Sequence, residues 1–207
     1  MITGIFGKPR AGKTTYAAML VQKNKRKLFI CKKIPLLRRI LRPYDVIYCT
    51  DETIQDTIYV TYEKLGQWKP QRNSLLILEE AGIGLNNRQW KSLSQDATYL
   101  FALHGHIGCD IIWSSQTVDV DKKILGRTHR LWLASRFFGF TVMQPIAFSV
   151  DVDNETHQLV DAYSKPSGLS AFLSIIIGKT KIFWRKPWYK FFDSFVDTKA
   201  YPLSEPC

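Results

Sequence analysis

The sequence predicts an α/β fold, with a mostly parallel central sheet flanked by helices and a basic, aromatic C-terminal tail. Two observations predict this class. A glycine-rich segment at residues 7–14 lies between an apolar run typical of a strand and a segment with helical spacing. Farther along, short apolar runs alternate with helical segments, as in parallel sheets covered on both faces. A chain of 207 residues is in the usual range for one main domain.

The first predicted strand and helix enclose the glycine-rich segment. Ile2 to Phe6 is short and apolar, and Lys13 to Gln22 carries apolar residues at helical spacing. From Lys23 to Arg42 the chain has many cations and no acid, around the apolar segment Leu28 to Ile30. We expect this stretch to form a basic surface carried by a strand and a loop or short helix.

Apolar runs predict the remaining strands. Leu75 to Leu78 is continuously apolar, which is typical of a parallel strand covered on both faces. A helix is predicted over Ser94 to His104. The other predicted strands are Val46 to Cys49, Ile58 to Val60, Asp110 to Trp113, Arg130 to Ala134 and, with a weaker pattern, Phe148 to Val152.

The glycine-rich segment is a complete phosphate-binding loop, or P-loop. Its glycines let backbone N–H groups close around phosphate, its lysine neutralises β- and γ-phosphate charge, and the next hydroxyl is a Mg²⁺ ligand. The helix that follows places its N-terminus at the phosphate. We therefore predict a P-loop NTPase that binds a nucleoside triphosphate with Mg²⁺. The residues predicted to bind nucleotide are Gly7, Lys8, Pro9, Arg10, Ala11, Gly12, Lys13, Thr14 and Thr15.

Polar side chains follow two predicted strands. Glu79 occupies the position of a carboxylate that holds Mg²⁺ through water, together with Thr14, and Glu80 can orient or deprotonate an attacking water. A second interpretation is that the two acids cap the glycine-rich turn that follows them. Gln116 can bond the γ-phosphate or the water, or it is a polar residue that merely ends a strand.

Charge and cysteine usage limit the possible classes of partner and the compartment. Lys and Arg number 29 against 18 for Asp and Glu, and the formal charge of +11 favours nucleic acid or an anionic membrane surface. The widely spaced cysteines indicate buried or idle thiols in a reducing cytosol, and nothing directs secretion. The longest uncharged apolar stretch, Leu169 to Ile177, is about half the length of a bilayer-spanning helix. Candidate arginine fingers are Arg88, Arg127, Arg130 and Arg136.

The tail mixes aromatic and basic residues. The segment Lys165 to Gly168 is typical of a linker, so we divide the chain into a P-loop domain at 1–164 and an extension at 165–207. Three interpretations of the extension stay open: it binds a bilayer interface, it binds single-stranded DNA, or it packs on the sheet as an amphipathic helix. The residues concerned are Lys179, Lys181, Phe183, Trp184, Arg185, Lys186, Trp188, Tyr189, Lys190, Phe191 and Phe192.

Several motifs follow one another in a characteristic order. After the P-loop come Leu75-Leu76-Ile77-Leu78-Glu79-Glu80-Ala81-Gly82, Asn86-Asn87-Arg88-Gln89-Trp90, His104, Gly108-Cys109-Asp110-Ile111-Ile112, Gln116 and Val120-Asp121-Lys122. From Ile2 to about Phe137 this order resembles the zonula occludens toxin-like family, which includes the inner-membrane assembly ATPases of filamentous phages.

The resemblance implies an ATPase, with a fold similar to FtsK/HerA-type DNA motors, that assembles and extrudes a single-stranded DNA phage. It implies ATP and Mg²⁺ as cofactors, with Lys13 and Thr14 binding both, Glu79 assisting the metal, Glu80 as catalytic carboxylate and Gln116 sensing the γ-phosphate. Arg88 lies in the matching N-x-R-x-W stretch. The implied partners are further copies of the chain in a homo-multimer, single-stranded DNA or phage nucleoprotein, and phage assembly proteins.

Two departures from the family pattern qualify these expectations. Glu79 stands where the family usually has Asp, which favours slower hydrolysis or a rearranged metal shell. A transmembrane helix usual in the phage assembly members is missing, so we expect a host-cytoplasmic protein that is peripheral at the anionic inner-membrane surface. The alternatives are a genome-packaging ATPase of a small virus and a nonhydrolytic, nucleotide-gated assembly scaffold. A small-molecule kinase would need an acceptor pocket, for which no clear segment is present.

Overall fold

One eight-stranded sheet organises the computed structural model, which describes residues 1–85, 95–116, 120, 122–146 and 180–192. The strands are β1 (Ile2–Phe6), β2 (Val46–Cys49), β3 (Ile58–Tyr59), β4 (Ser74–Leu78), β5 (Cys109–Ser115), β6 (Arg130–Phe137), β7 (Phe140–Ile146) and β8 (Lys181–Trp184). The helices are α1 (Lys13–Lys33), α2 (Arg38–Leu41), α3 (Ala81–Gly84), α4 (Gln95–Ile107) and α5 (Lys122–Leu125). Short 3₁₀ helices span Pro35–Leu37, Tyr62–Gly66 and Lys186–Phe191.

The sheet has the order β3-β2-β4-β5-β1-β6-β7-β8. The strands from β3 to β6 in that order pair in parallel, and β7 pairs antiparallel with both β6 and β8. This confirms the predicted α/β class with a mostly parallel sheet flanked by helices. Parallel pairing places the carboxyl ends of β1, β4 and β5 at one edge of the sheet, which is where ligands bind in open α/β sheets.

The apolar run in β4 is continuous because both faces of the sheet are covered. Ile77 packs in the cluster that contains Ala18 of α1, whereas Leu76 and Leu78 pack in the cluster that contains Phe101 of α4. Successive side chains of a strand point to opposite faces, so a strand between two helical layers needs apolar residues at every position. Each buried Leu or Ile contributes about 2 kcal/mol through removal of its surface from water.

Helix α1 is longer than predicted. It continues from Lys13 to Lys33, so the apolar segment Leu28 to Ile30 is helical, and the expected strand there is wrong. A short apolar run does not distinguish a strand from a helix. The surrounding lysines and arginines are good helix formers, and their exposed side chains suit the part of the helix that lies in solvent.

The antiparallel strands β7 and β8 were not predicted. They follow β6 through a turn at Phe138 and Gly139, where Phe138 has a φ of 48°. Part of the C-terminal extension therefore packs on the sheet, as a strand and a 3₁₀ helix and not as the amphipathic helix considered above. Phe183 and Trp188 pack on one core cluster, and Phe192 belongs to another.

Several sequence predictions lie outside the described residues. They are the strand at Phe148 to Val152, the linker, the apolar stretch at Leu169 to Ile177 and Cys207. The domain boundary at 164 stays a prediction. Cys31, Cys49 and Cys109 are buried free thiols, as expected. In the described part of the chain, no helix has both the length and the apolar character needed to cross a bilayer.

Candidate active site

The carboxyl edge of the sheet brings the predicted site residues together. The P-loop follows Phe6 at the end of β1, Glu79 follows β4, and Gln116 follows β5. In the sheet, β5 lies between the other two strands, with Ser115 opposite Phe6 and Trp113 opposite Leu78. The phosphate loop and the acids therefore approach each other across one intervening strand.

Two positions of the P-loop have positive φ. Arg10 has φ 62° and Gly12 has φ 100°. A Cβ at Gly12 would lie 2.0 Å from Oγ1 of Thr141 as well as in a disfavoured backbone region, so only glycine fits. A Cβ at Gly7 would lie 2.6 Å from the carbonyl oxygen of Ala134, so close packing also requires glycine there.

The remaining loop positions differ in exposure. Lys8, Pro9 and Arg10 are exposed at the crest of the loop, and Ala11 is buried beneath it. The N–H of Ala11 donates to the carbonyl of Lys8 at 3.1 Å, which closes the turn. Thr15 is buried in the first turn of α1. The exposed crest leaves the loop open to a ligand on the solvent side.

Lys13 is buried at the start of α1 and faces its own loop. Its Nζ donates to the carbonyl oxygen of Gly7 at 2.8 Å and to that of Lys8 at 3.4 Å. Burial lowers the pKa of Lys13, and the charges of Glu80 and Glu79 oppose that shift. The ammonium is thus held by backbone carbonyls at the place where the loop would receive phosphate.

Glu79 is the most constrained acid of the site. Its Oε2 accepts from Oγ of Ser114 at 2.8 Å and from Oγ1 of Thr14 at 3.3 Å. Its N–H donates to Oγ1 of Thr50 at 2.9 Å, and its carbonyl accepts from the hydroxyl of Tyr62 at 2.6 Å. Both the main chain and the carboxyl group of Glu79 are therefore fixed in position.

The environment of Glu79 suits a divalent cation. Burial raises the pKa of the Glu79 carboxyl to about 7, and the hydrogen bond from Ser114 opposes this shift. A cation would favour the ionised form and offset the cost of burying it. The carboxylate oxygen and the Thr14 hydroxyl are the hard oxygen donors that Mg²⁺ prefers. The residues present therefore fit Mg²⁺.

Glu80 has an unusual backbone and a defined side-chain partner. Its φ of 54° and ψ of 44° are left-handed, which costs a non-glycine residue about 1–2 kcal/mol. Nε2 of Gln116 donates to its Oε1 at 3.1 Å. The Glu80 side chain makes no capping hydrogen bond to α3. Glu80 is the N-cap of this turn through its carbonyl, which accepts from the N–H of Ile83 at 2.9 Å, whereas its carboxylate lies beside Gln116.

The candidate arginine fingers are dispersed. Arg88 lies outside the described residues. Arg130 begins β6 at the amino edge of the sheet, opposite the P-loop, and Arg127 follows α5. Arg136 is exposed, and its Nε donates to the carbonyl of Phe138 at 3.4 Å. Whether any of them reaches the nucleotide of a neighbouring subunit stays a prediction.

Comparison with known proteins identifies the family. The model of the family described as zonular occludens toxin (Zot) matches residues 1–130. The chain belongs to the Zot family. No curated protein sequence matches it.

Comparison with solved structures bears on the fold. The N-terminal domain of zonular occludens toxin from Neisseria meningitidis has a TM-score of 0.54 at 12% identity, over 93% of this chain and 98% of that chain. The DNA-packaging ATPase B204 from Sulfolobus Turreted Icosahedral Virus has a TM-score of 0.43 at 15% identity, over 70% of this chain and 91% of that chain. The first likeness establishes that this Zot family member shares the fold of the toxin domain.

Two supports of the P-loop lie beyond the residues matched by the Zot model. Thr141 of β7 is fully buried and donates from Oγ1 to the carbonyl of Ala11 at 3.0 Å. Arg185 is 5% exposed and donates from Nη1 to the carbonyl of Arg10 at 3.0 Å. Its Nη2 donates to the carbonyl of Phe138 at 2.8 Å. One guanidinium therefore connects the P-loop to the β6–β7 turn.

Sequence reasoning did not find these supports. Arg185 was one cation among several in the aromatic tail, and Thr141 carried no motif. Their contacts depend on the pairing of β7 with β6 and β8, which local spacing does not show. No sequence signal distinguishes Arg185 from its neighbouring cations, because its burial appears only in the folded chain.

Proposed function

We propose that this Zot family protein binds and hydrolyses ATP and serves as a motor for phage morphogenesis that acts on single-stranded DNA. The observation that carries the proposal is the convergence of a P-loop lysine, a buried metal-competent carboxylate and a second carboxylate paired with an amide at one edge of the sheet. Family membership supports the connection to phage assembly.

Nucleotide binding would use the existing loop with little rearrangement. The β- and γ-phosphates would replace the carbonyls of Gly7 and Lys8 as partners of the Lys13 ammonium. The first N–H groups of α1 lack intrahelical partners and point toward the same position. Lys13 is thus already buried at the start of α1, where it would exchange these carbonyls for phosphate oxygens.

The metal would be held by Thr14 directly and by Glu79 through water. When bound, Mg²⁺ neutralises charge that develops on the β- and γ-phosphate oxygens. Ser114 keeps the Glu79 carboxylate oriented toward Thr14 through its 2.8 Å bond. Glu79 is one methylene longer than Asp. Its N–H donates to Thr50 and its carbonyl accepts from Tyr62, and these two bonds fix the backbone from which the longer side chain extends.

Hydrolysis would depend on Glu80. Its carboxylate would accept a proton as the oxygen of water forms a bond to the γ-phosphorus and the bond to the β–γ bridging oxygen breaks, leaving ADP and inorganic phosphate. The amide of Gln116 holds Oε1 of Glu80 by the 3.1 Å bond and leaves the other carboxylate oxygen for the water. Gln116 thus orients the base while its own carbonyl oxygen can accept from the same water.

The test compares phosphate release from ATP by the wild type, Lys13→Ala and Glu80→Gln. We expect Lys13→Ala to lose ATP binding, because phosphate neutralisation is removed. Glu80→Gln should retain ATP affinity and lose about 10²- to 10⁴-fold in turnover, which is the usual contribution of a general base. Normal turnover by Glu80→Gln would overturn the catalytic assignment. Tight ATP binding by the wild type with no turnover under any condition would favour the nucleotide-gated scaffold.

A motor of this kind would work as a homo-multimer, with an arginine of one subunit reaching the nucleotide of the next. Turnover per subunit should then rise with protein concentration until the multimer is complete. Single substitutions Arg88→Ala, Arg127→Ala and Arg136→Ala would identify the finger as the variant that assembles normally but does not show this rise. Association with phage assembly proteins and with the anionic inner-membrane surface remains part of the proposal.

A further inference from the structure

A pocket of about 220 Å³ lies on the face of the sheet that α1 covers, and it reaches the amino edge. Its walls come from α1, from the starts of β1, β6 and β8, and from the segment before β2. Met1, Tyr44 and Arg130 line its end at the amino edge, whereas Tyr16, in the first turn of α1, and Trp132 line the end toward the P-loop. None of the proposed catalytic residues lines it.

The rim of the pocket is cationic. Lys23 and Lys27 lie one helical turn apart on α1, Arg130 is the first residue of β6, and Lys181 is the first residue of β8. No acid is among the described residues that line the pocket. None of the four cations forms a salt bridge with a described acid. Their charge is therefore available to a ligand.

A carboxylate bonded to two residues that line the pocket is already engaged. Asp110 of β5 accepts a hydrogen bond from the hydroxyl of Tyr44 at 2.6 Å and forms a salt bridge with the amino group of Met1. Tyr44 and Met1 themselves line the pocket. Asp110 is thus held by neutral and cationic partners in the wall, and the pocket keeps a net positive charge.

The floor is apolar and aromatic, and its walls are fixed. Trp132 and Tyr16 line it, and the Lys181 ammonium lies 4.4 Å from the Trp132 ring centroid and 3.0 Å from the Tyr16 hydroxyl. Asn24 ties α1 to the opposite wall by two hydrogen bonds with the backbone of Tyr44, at 2.9 and 2.8 Å. The pocket is therefore built by contacts among residues far apart in the chain.

A cationic rim over a mostly apolar pocket matches one nucleotide unit, in which a phosphate is linked to a planar base. We propose that this pocket binds a nucleotide of single-stranded DNA, with its phosphates on Lys23, Lys27 and Arg130 and its base in the apolar pocket beneath them. Single-stranded DNA fits because its bases are free to leave the stack, unlike those of a duplex. The inference rests on the proposed function as a DNA motor.

Helix α1 gives the two sites a physical connection. It begins at Lys13 in the P-loop and carries Lys23 and Lys27, which are 10 and 14 residues farther along the same helix. At 1.5 Å per residue the lysines lie about 15–21 Å from the nucleotide site. A shift of α1 on nucleotide binding would therefore move the DNA contacts with it.

The test measures binding of a fluorescent thymidine oligonucleotide of about 20 residues by anisotropy over a range of salt concentrations. The pocket variant is Lys23→Ala/Lys27→Ala, and the control is Lys32→Ala/Lys33→Ala, which removes the same charge from the same helix outside the pocket. We expect the pocket variant alone to bind about tenfold more weakly. Its log–log salt slope should fall by about 1.4, since each lost phosphate contact lowers the slope for single strands by about 0.7.

Three results would overturn the inference. Equal weakening in both double variants would show that only overall charge matters. Loss of binding to phosphatidylglycerol vesicles by the pocket variant, with oligonucleotide binding retained, would assign the pocket to a lipid headgroup. Saturable binding of thymidine monophosphate by calorimetry, without affinity for the oligonucleotide, would assign the pocket to free nucleotide.

ATP turnover of both double variants, measured without DNA, separates this inference from the proposed function. Turnover at the wild-type level together with unchanged oligonucleotide affinity would sink the DNA pocket and leave the ATPase standing. Absence of oligonucleotide binding by the wild type at low salt would remove the DNA pocket and the DNA part of the motor together.

Discussion

The two edges of the central sheet carry opposite chemistry. At the carboxyl edge, Glu79 and Glu80 are held by hydroxyls and an amide around a buried lysine. At the amino edge, Lys23, Lys27 and other cations surround a pocket whose described lining has no acid. The overall charge of +11 therefore describes neither of these two groups of side chains.

The difference also concerns rigidity. The carboxyl edge requires positive φ at Gly12 and Glu80 and buries an ionisable carboxyl group. The cations at the amino edge are exposed side chains on regular helix and strand. Strain and buried charge are typical of sites that do chemistry, whereas exposed cations suit a polyanion that binds and moves. Substitutions at the two edges should therefore differ in kind as well as in size.

The largest expected effect belongs to Gly12→Ala. The left-handed backbone and the 2.0 Å approach of a Cβ to Thr141 together cost about 4 kcal/mol, and ATP binding should be lost. The control is Gly105→Ala in α4, where a Cβ meets nothing within 4 Å and helix propensity favours alanine by about 1 kcal/mol. Urea unfolding and ATP titration measure both. Normal ATP affinity in Gly12→Ala would show that the P-loop does not bind in this conformation.

Next comes the pH dependence of Glu79. Its folded pKa of about 7 exceeds the ordinary value of 4.5, so the folded state binds more protons between these values. The free energy of unfolding should therefore fall as pH rises from 4.5 to 7, by at most about 3 kcal/mol. Glu79→Gln should remove this component, and Glu80→Gln should keep it. Identical pH profiles for wild type and Glu79→Gln would contradict the buried-carboxyl account.

A smaller effect is expected from Arg185→Ala. Loss of the guanidinium leaves the carbonyls of Arg10 and Phe138 without their partner, which should destabilise the protein by about 2 kcal/mol. A looser P-loop should raise KM for ATP more than it lowers kcat. The control is Lys186→Ala, which removes the same charge from the exposed neighbouring residue. Equal KM values for ATP in the two variants would show that the contact of Arg185 with the P-loop does not affect ATP binding.

The smallest effect on stability and on ATP affinity should come from substitutions at the amino edge. Lys23→Ala/Lys27→Ala replaces exposed side chains, so the free energy of unfolding should change by less than about 0.5 kcal/mol per residue. Affinity for ATP without DNA should stay at the wild-type value. A large loss of stability, measured by urea unfolding, would show that the lysines support the fold. It would contradict the difference in rigidity between the two edges.

Local patterns were enough for part of the site. The P-loop, the acids at Glu79 and Glu80, and Gln116 each follow a recognisable apolar strand, and parallel strands end at a common edge. Local patterns do not identify Ser114, because a serine at the end of a strand has no distinctive spacing. Its importance comes from the position of β5 beside β4, which places its hydroxyl 2.8 Å from Glu79.

The sequence by itself determined the class of the protein: an α/β sheet with a P-loop, the acids that accompany it, and a strongly basic chain of the Zot family. These features are local, because glycine spacing and apolar runs act within a few residues. Only the tertiary structure decided that Glu79 would be buried, that Arg185 would hold the P-loop, and that Lys23 and Lys181 would meet at one pocket. Such contacts join residues far apart in the chain, so they depend on the order of strands in the sheet, which no short segment contains.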